Sequence, residues 1–337
     1  MSYKSLYYSE FGQPEIVIQE MDRRISHLEE DEALVEMVMA PINPSDLIPV
    51  TGAYAHRISL PNTAGYEGVG IVKEVGKAED QSLVGKMVLP LREEGTWQEV
   101  VVMKASQLII VPETIDYRIA CQSYINPITA WLLCAREITL KKQDFLLVNA
   151  GNSSIGKIFI QLANILGFKI ISVVRNEQYR EPLKKLGADY VINSKIENVF
   201  DAVMTITEGK GVQAAIDMIG SSAGTTLARC VTNGGDFRTI GLLSCYQVDW
   251  QYIANHLNIT AKIFHLRHWS ENCSLEEWQK QFETIFHLIT EEGLQLTFPQ
   301  IIYPFNQYKQ AIGKALDPTV KEKVFLSFNF NQRSNFS

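Results

Sequence analysis

The rhythm of hydrophobic and polar positions changes near Tyr117. Upstream, short β-branched stretches at residues 33–39, 69–75, 87–90 and 100–103 are separated by Gly65, Gly68, Gly76, Gly85 and Gly95. Strands so short, punctuated so often by glycine, predict a barrel-like or irregular β domain. Downstream, residues 119–135 have helical spacing that Pro127 should kink or interrupt. After that the chain alternates. Residues 145–150 form a continuous apolar run, and 155–166 have the spacing of an amphipathic helix stopped by Gly167. Strand-like runs at 169–174, 190–193, 212–219 and 237–240 interleave with helical stretches ending at Leu186 and spanning 199–207 and 224–231. Continuous apolar strands alternating with helices predict an α/β fold, a doubly wound parallel sheet covered on both faces. The remainder carries a helix at 275–292 and is expected to return to the first domain.

Composition narrows the class without choosing a function. Among 337 residues, 31 basic against 38 acidic side chains leave a net charge of −7, with no basic stripe to make an electrostatic footprint for nucleic acid. No apolar run approaches the roughly 18 residues of a membrane span. The opening MSYKSLYYSEFG lacks a basic-then-apolar signal segment, so a cytoplasmic protein with neither nucleic-acid nor membrane partners is expected. Cys121, Cys134, Cys230, Cys245 and Cys273 are scattered, without the C-x-x-C spacing of a structural zinc site. They read as thiols of a reducing compartment, most of them small buried apolar groups.

The turn after the first buried strand carries the first chemistry. Residues 145–163 read FLLVNAGNSSIGKIFIQLA, so a strand runs into Gly151-Asn152-Ser153-Ser154-Ile155-Gly156 and on into a helix. This is G-x-G-x-x-G with Ser153 in place of the second glycine. Such a turn lets backbone approach a pyrophosphate and aims free N–H groups of a helix N-terminus at the anion. A strand before and a helix after, within a βαβ alternation, favour a dinucleotide site over a plain glycine-rich turn. Arg175 directly follows the next strand. An arginine there can pair with a 2′-phosphate, where an acid would bind ribose hydroxyls. Glu177 is the rival signal, assigned instead to the first turn of the following helix, where the dipole favours a carboxylate. NADPH is the expected cofactor.

Within a likeness that runs from about Leu6 to Phe325, the most specific pieces are APINPSDL at 40–47, TGAY at 51–54, AGYEGVGIV at 64–72, GTWQE at 95–99, INPITAW at 125–131 and VVRN at 173–176. With them the chain resembles the medium-chain dehydrogenase/reductase superfamily, nearest to its zinc-free quinone oxidoreductases and mitochondrial-type trans-2-enoyl thioester reductases. The resemblance implies a GroES-like β-rich catalytic domain over 1–118, a Rossmann NADPH-binding domain over 119–264, and a C-terminal return over 265–337. It also implies a homodimer, through an edge strand near 258–266. Zinc enzymes of the superfamily place Cys, His and Cys where this chain has Asn43, Tyr66 and Asn126. Neither amide nor phenol is a usual zinc ligand, so no catalytic metal is expected. The four-cysteine lobe of those enzymes is missing too. His265 and His268, if placed on a strand, point to opposite faces and make no metal pair.

The reaction implied is reduction of a carbon–carbon double bond conjugated to a carbonyl, with a 2-enoyl thioester as first substrate class. Tyr54 matches the loop tyrosine that protonates the enolate, and a phenol with a pKa near ~10 is protonated at neutral pH. Asn43 is the second catalytic candidate. Asn43 and Asn126 are polar wall groups for the nicotinamide ribose or the substrate carbonyl, although each precedes a proline and suits a turn as well. Asp46 reads as a helix cap or local structural acid. Thr129 is placed against the nicotinamide or, equally, in a helical core. By resemblance, other cofactor contacts fall on Asn152, Ser153, Ser154, Ile155, Gly156, Gly241, Leu242, Leu243, Phe264, Leu266 and Lys323. The chain also departs from the enoyl reductases. Ala53 and Ala55 flank Tyr54 where Asn and Gly are usual, and His265 stands where a tryptophan borders the acyl pocket. His56 and Arg57 read as an exposed basic pair. A quinone or enone/alkenal reductase on the same scaffold is the nearest alternative. A non-catalytic NADPH-binding sensor or interaction protein is the alternative of another class.

Overall fold

The computed structural model describes residues 1–53, 55–92 and 95–328. The chain forms two compact units. The first comprises Met1–Ile125, Ser274–Thr290 and Leu296–Ser337. Its longest strand, Glu32–Ile42, is buried along nearly all its length because Ala33, Leu34, Val35 and residues 37–42 are apolar with no room for alternation. It is flanked by Val69–Val75, Val100–Lys104 and the C-terminal Val324–Ser327, all antiparallel to it. Among the described residues this sheet continues through Met87–Leu89 to Ile109–Ile110 on one side and to Ile301–Pro304 on the other. A second, small sheet pairs Ser2–Tyr8 with Gln19–Arg24 and Asn62–Thr63. Leu6, Val35, Met37, Val72, Trp97, Phe305 and Leu326 meet in the core between them. This is the β-rich domain that the glycine-punctuated strands predict.

The GTW segment shows why glycine is required there. A Cβ on Gly95 would lie 2.3 Å from the Thr63 carbonyl oxygen, and one on Gly65 2.3 Å from the Trp97 ring. Without those side chains the indole enters the core completely, and Thr96 Oγ1 donates to the Glu67 carbonyl at 2.8 Å. Glu67 is thereby fixed at the head of the Val69–Val75 strand.

The second unit comprises Asn126–Cys273 and Glu291–Gln295. Its six parallel strands lie in the order Tyr190–Asn193, Lys169–Val174, Phe145–Val148, Val212–Asp217, Val231–Thr239, Thr260–Ile263. Succession runs outward in both directions from the central pair, so the sheet switches direction between Phe145–Val148 and Val212–Asp217. Helices Ser154–Leu166, Arg180–Leu186, Val199–Ile206, Ser221–Arg229 and Trp250–His256 connect the strands. Gly167 ends the first of them in the left-handed conformation, φ 83°. The doubly wound sheet is as expected from the apolar runs.

Three local expectations are corrected. The helix predicted over 119–135 divides into Tyr117–Ala120, Ile125–Leu132 and a wider turn at Leu133–Glu137. Pro127 sits in the first turn of the middle piece, where its missing N–H leaves no bond unmade. The strand predicted over 237–240 begins at Val231, because parallel pairing with Val212–Asp217 recruits the polar stretch 232–236 that apolar periodicity passes over. His265 and His268 are not on a strand: His265 directly precedes the Leu266–Asn272 helix and His268 lies in its first turn. At that spacing a helix brings side chains together, and their rings lie 5.0 Å apart. Among the described residues, no helix is long and apolar enough to cross a membrane.

Candidate functional site

In the second unit, the chain leaves the Phe145–Val148 strand through Asn149 and turns at Ala150 and Gly151. A Cβ on Gly156 would lie 2.6 Å from the Gly151 carbonyl oxygen, so the helix packs onto its own entry turn only with glycine. Ser153 has φ −68°, open to any residue, which explains how serine replaces the second glycine of the fingerprint. Its Oγ accepts the Gly156 N–H at 3.1 Å and caps the helix. Asn152–Gly156 thus form a glycine-cradled helix N-terminus at the carboxyl end of a central strand, which fits the phosphates of a dinucleotide.

Arg175 leaves the Lys169–Val174 strand exposed and without an ion pair among the described residues. Glu177, its rival, is occupied. It heads a short 3₁₀ turn before the Arg180–Leu186 helix, binds the Arg180 guanidinium and accepts from Asn193 Nδ2 at 3.1 Å. The Arg180 bond, then that of Asn193, holds its carboxyl below the usual range. Gly241, Leu242 and Leu243 follow the Val231–Thr239 strand, and Phe264 and Leu266 follow Thr260–Ile263. All these candidates therefore lie at strand carboxyl ends of one parallel sheet, where ligands of such sheets bind. Asn126 and Thr129 belong to the Ile125–Leu132 helix, with Thr129 buried.

In the first unit, Asn43, Asp46, Glu67 and Lys323 form one polar cluster. Asn43 precedes the Pro44–Leu47 helix, with its N–H donating to Asp46 Oδ2 at 2.6 Å. Asp46 Oδ1 accepts from the Tyr66 N–H at 2.9 Å, so this acid is the local structural cap that its position suggests. Glu67, only 1% exposed, takes three donors: Asn43 Nδ2 at 2.8 Å, Lys323 Nζ at 3.2 Å and the Ile125 N–H at 2.9 Å. Burial, and behind it the Glu67 charge, pushes the Asp46 carboxyl up to about 7, against the opposing pull of the Asn43 N–H. Glu67 is the residue that sequence reasoning missed. Its one signal is an acid inside the otherwise small and apolar AGYEGVGIV segment.

Tyr54 lies outside the described residues. The backbone leading to it does not: Pro49–Thr51 form a 3₁₀ turn ended by Gly52 at φ 87°, and Ala55–Arg57 form the next. Tyr66 is partly exposed, and the described residues hold no group of three or more His, Cys, Asp or Glu suited to a metal. Cys121, Cys134 and Cys230 are buried, and burial pushes all three thiols up, so they remain protonated packing groups.

Residues 29–113 match the family model of the alcohol dehydrogenase GroES-like domain, and residues 154–289 that of the zinc-binding dehydrogenases. The mitochondrial enoyl-[acyl-carrier-protein] reductase of Rattus norvegicus is 30% identical over 331 residues, 96% of this chain and 88% of the relative. The chain belongs to the medium-chain dehydrogenase/reductase superfamily. It is thus an oxidoreductase built from the GroES-like and Rossmann domains of that superfamily. A Bacillus thuringiensis crystal structure, provisionally described as an NADPH:quinone reductase, is 45% identical with a TM-score of 0.94, covering 97% of this chain and 99% of that one. The Escherichia coli quinone oxidoreductase complexed with NADPH shares this superfamily fold, with a TM-score of 0.86 at 24% identity over 96% of this chain and 99% of that one.

Proposed function

We propose that this chain is an NADPH-dependent, metal-independent reductase of carbon–carbon double bonds conjugated to a carbonyl, acting first on 2-enoyl thioesters. The observation that carries the cofactor half is the contrast between Arg175, exposed and without an ion pair among the described residues, and Glu177, bound to Arg180 and Asn193. An arginine left in that state suits a 2′-phosphate, and an acid so engaged is not offered to ribose hydroxyls. The N-terminus of the Ser154–Leu166 helix and the Gly151–Gly156 turn would hold the pyrophosphate. A cofactor held there would supply a hydride to the substrate β carbon. Tyr54 then delivers its phenolic proton to the α carbon of the enolate. The 30% identity to an enoyl reductase over most of the chain supports the thioester as substrate class. The 45% identity to the Bacillus thuringiensis protein supports quinone reduction as a second reading.

The deciding experiment follows NADPH and NADH oxidation with crotonyl-CoA, an alkenal and a quinone. NADPH with crotonyl-CoA is expected to give the highest kcat/KM. Tyr54→Phe should lower kcat for crotonyl-CoA by about 10²–10⁴-fold, the usual worth of a positioned general acid. An unchanged kcat removes Tyr54 from the proton transfer, and faster quinone turnover selects the second reading.

We also propose a homodimer. Thr260–Ile263 is the outermost strand of its sheet, pairs with Val231–Thr239 on one side, and is mostly exposed. Its free edge can pair with the same strand of a second copy. Sedimentation equilibrium is expected to give twice the 38.1 kDa chain mass, and a monomer at micromolar concentration rejects the proposal.

A further inference from the structure

Beneath the fingerprint turn lies a polar pair that none of the preceding assignments uses. Asn149 and Asp217 directly end the two central strands, on either side of the point where the sheet switches direction. Their exposures are 1% and 0%. Asn149 Nδ2 donates to Asp217 Oδ1, and Asn149 Oδ1 accepts the Met218 N–H at 2.7 Å. The Asp217 carboxylate further takes the N–H groups of Ile219 at 3.0 Å and of Gly220 at 2.9 Å. It makes no ion pair among the described residues, so the charge is balanced by N–H dipoles alone.

The consequence reaches a third turn. With three successive N–H groups drawn inward, the carbonyls of Met218 and Ile219 point the other way. They accept from the Leu243 N–H at 3.2 Å and the Ser244 N–H at 2.9 Å. A Cβ on Gly241 would stand 2.7 Å from the Met218 oxygen, so that approach is as close as glycine permits. One buried pair therefore sets the start of the fingerprint turn, the 217–220 turn and the 241–244 segment. An apolar pair of like volume would fill the space and leave three backbone donors without acceptors.

We propose that Asn149 and Asp217 are positioning residues for the dinucleotide, fixing the strand-end turns that receive it without touching it. The inference rests on the reading of this unit as an NADPH site. It separates from a purely structural role, because misplaced turns weaken binding in every molecule, whereas a folding defect only lowers the fraction that binds.

The test is titration of the purified full chain with NADPH, following energy transfer from tryptophan, to obtain both Kd and sites per chain. Asn149→Asp sets two carboxylates against each other and should raise Kd at least about tenfold, with one site per chain retained. Adding Asp217→Asn restores one amide facing one carboxylate and keeps acceptors for the Met218 and Gly220 N–H groups, at the cost of the Ile219 bond. The double variant should return Kd to within about threefold of wild type. An unchanged Kd in Asn149→Asp, a loss of sites at constant Kd, or no recovery in the double variant would each overturn the proposal. Should Asn149→Asp not fold, Asp217→Asn alone is the measure, and a wild-type Kd there overturns it equally. Wild-type protein that takes up no NADPH removes the cofactor reading itself, and this inference with it.

Discussion

Glu67→Ala is expected to destabilise the protein by about 3–5 kcal/mol, the cost typical of removing one partner from a buried ion pair. The Glu67 side chain is 1% exposed and that of Lys323 12%, so neither reaches bulk water without rearrangement. Removal of the carboxylate leaves the Lys323 ammonium without its counter-ion, and the Asn43 amide and Ile125 N–H without their acceptor. Each orphaned donor adds a desolvation cost of about 1–3 kcal/mol where water cannot enter. Glu67→Gln should cost less, because the amide oxygen still accepts one of these donors. The measurement is the urea midpoint at constant m value. A shift under about 1 kcal/mol would mean that water reaches the cluster and that the pair is worth no more than a surface one.

The second large effect concerns pH. Asp46 has its carboxyl raised from 3.8 to about 7, chiefly by burial, with Glu67 adding to the rise and Lys323 and the Asn43 N–H opposing it. Between those two values the native state holds a proton that the unfolded chain releases. Stability from this group is therefore fully present below pH 3.8, falls as pH rises through the window, and levels off above 7. At about 1.4 kcal/mol per pH unit, the loss between pH 5 and pH 8 amounts to about 2–3 kcal/mol. Asp46→Asn cannot titrate. Whatever its fixed cost, its stability relative to wild type should improve by that amount across the same range. Urea unfolding at pH 5, 6, 7 and 8 tests this, and parallel profiles for the two proteins would show that Asp46 stays ionised throughout.

Both predictions concern residues whose weight is invisible in one dimension. Glu67 gathers donors 24, 58 and 256 positions away. In the sequence it is one acid among 38 acidic side chains, and an acid is ordinarily solvated. Asp217 and Asn149, 68 positions apart, are hidden the same way. His265 and His268 illustrate a different failure. Their three-residue spacing has opposite meanings on a strand and on a helix, and the short Leu266–Asn272 helix has too little periodicity to declare itself.

What the sequence determined by itself was the framework. Val69–Val75, Lys169–Val174 and Tyr190–Asn193 have the same limits in the structure as in the hydrophobic pattern. Strand burial on both faces leaves an unbroken apolar run, and a helix facing a sheet leaves a 3.6-residue repeat. Both are properties of a few neighbouring residues and survive in a linear reading. The fingerprint turn was legible for the same reason, since Gly156 answers a steric demand made by the turn itself, although what stands against a Cβ on Gly151 is Ser172 of the neighbouring strand. Tertiary structure alone decided which polar groups are buried and with whom: Asp46 and Glu67 with Asn43, Glu177 withdrawn to Arg180, Asp217 with Asn149. The energy of a buried charge depends on donors brought from distant segments, and no local pattern records where those segments meet.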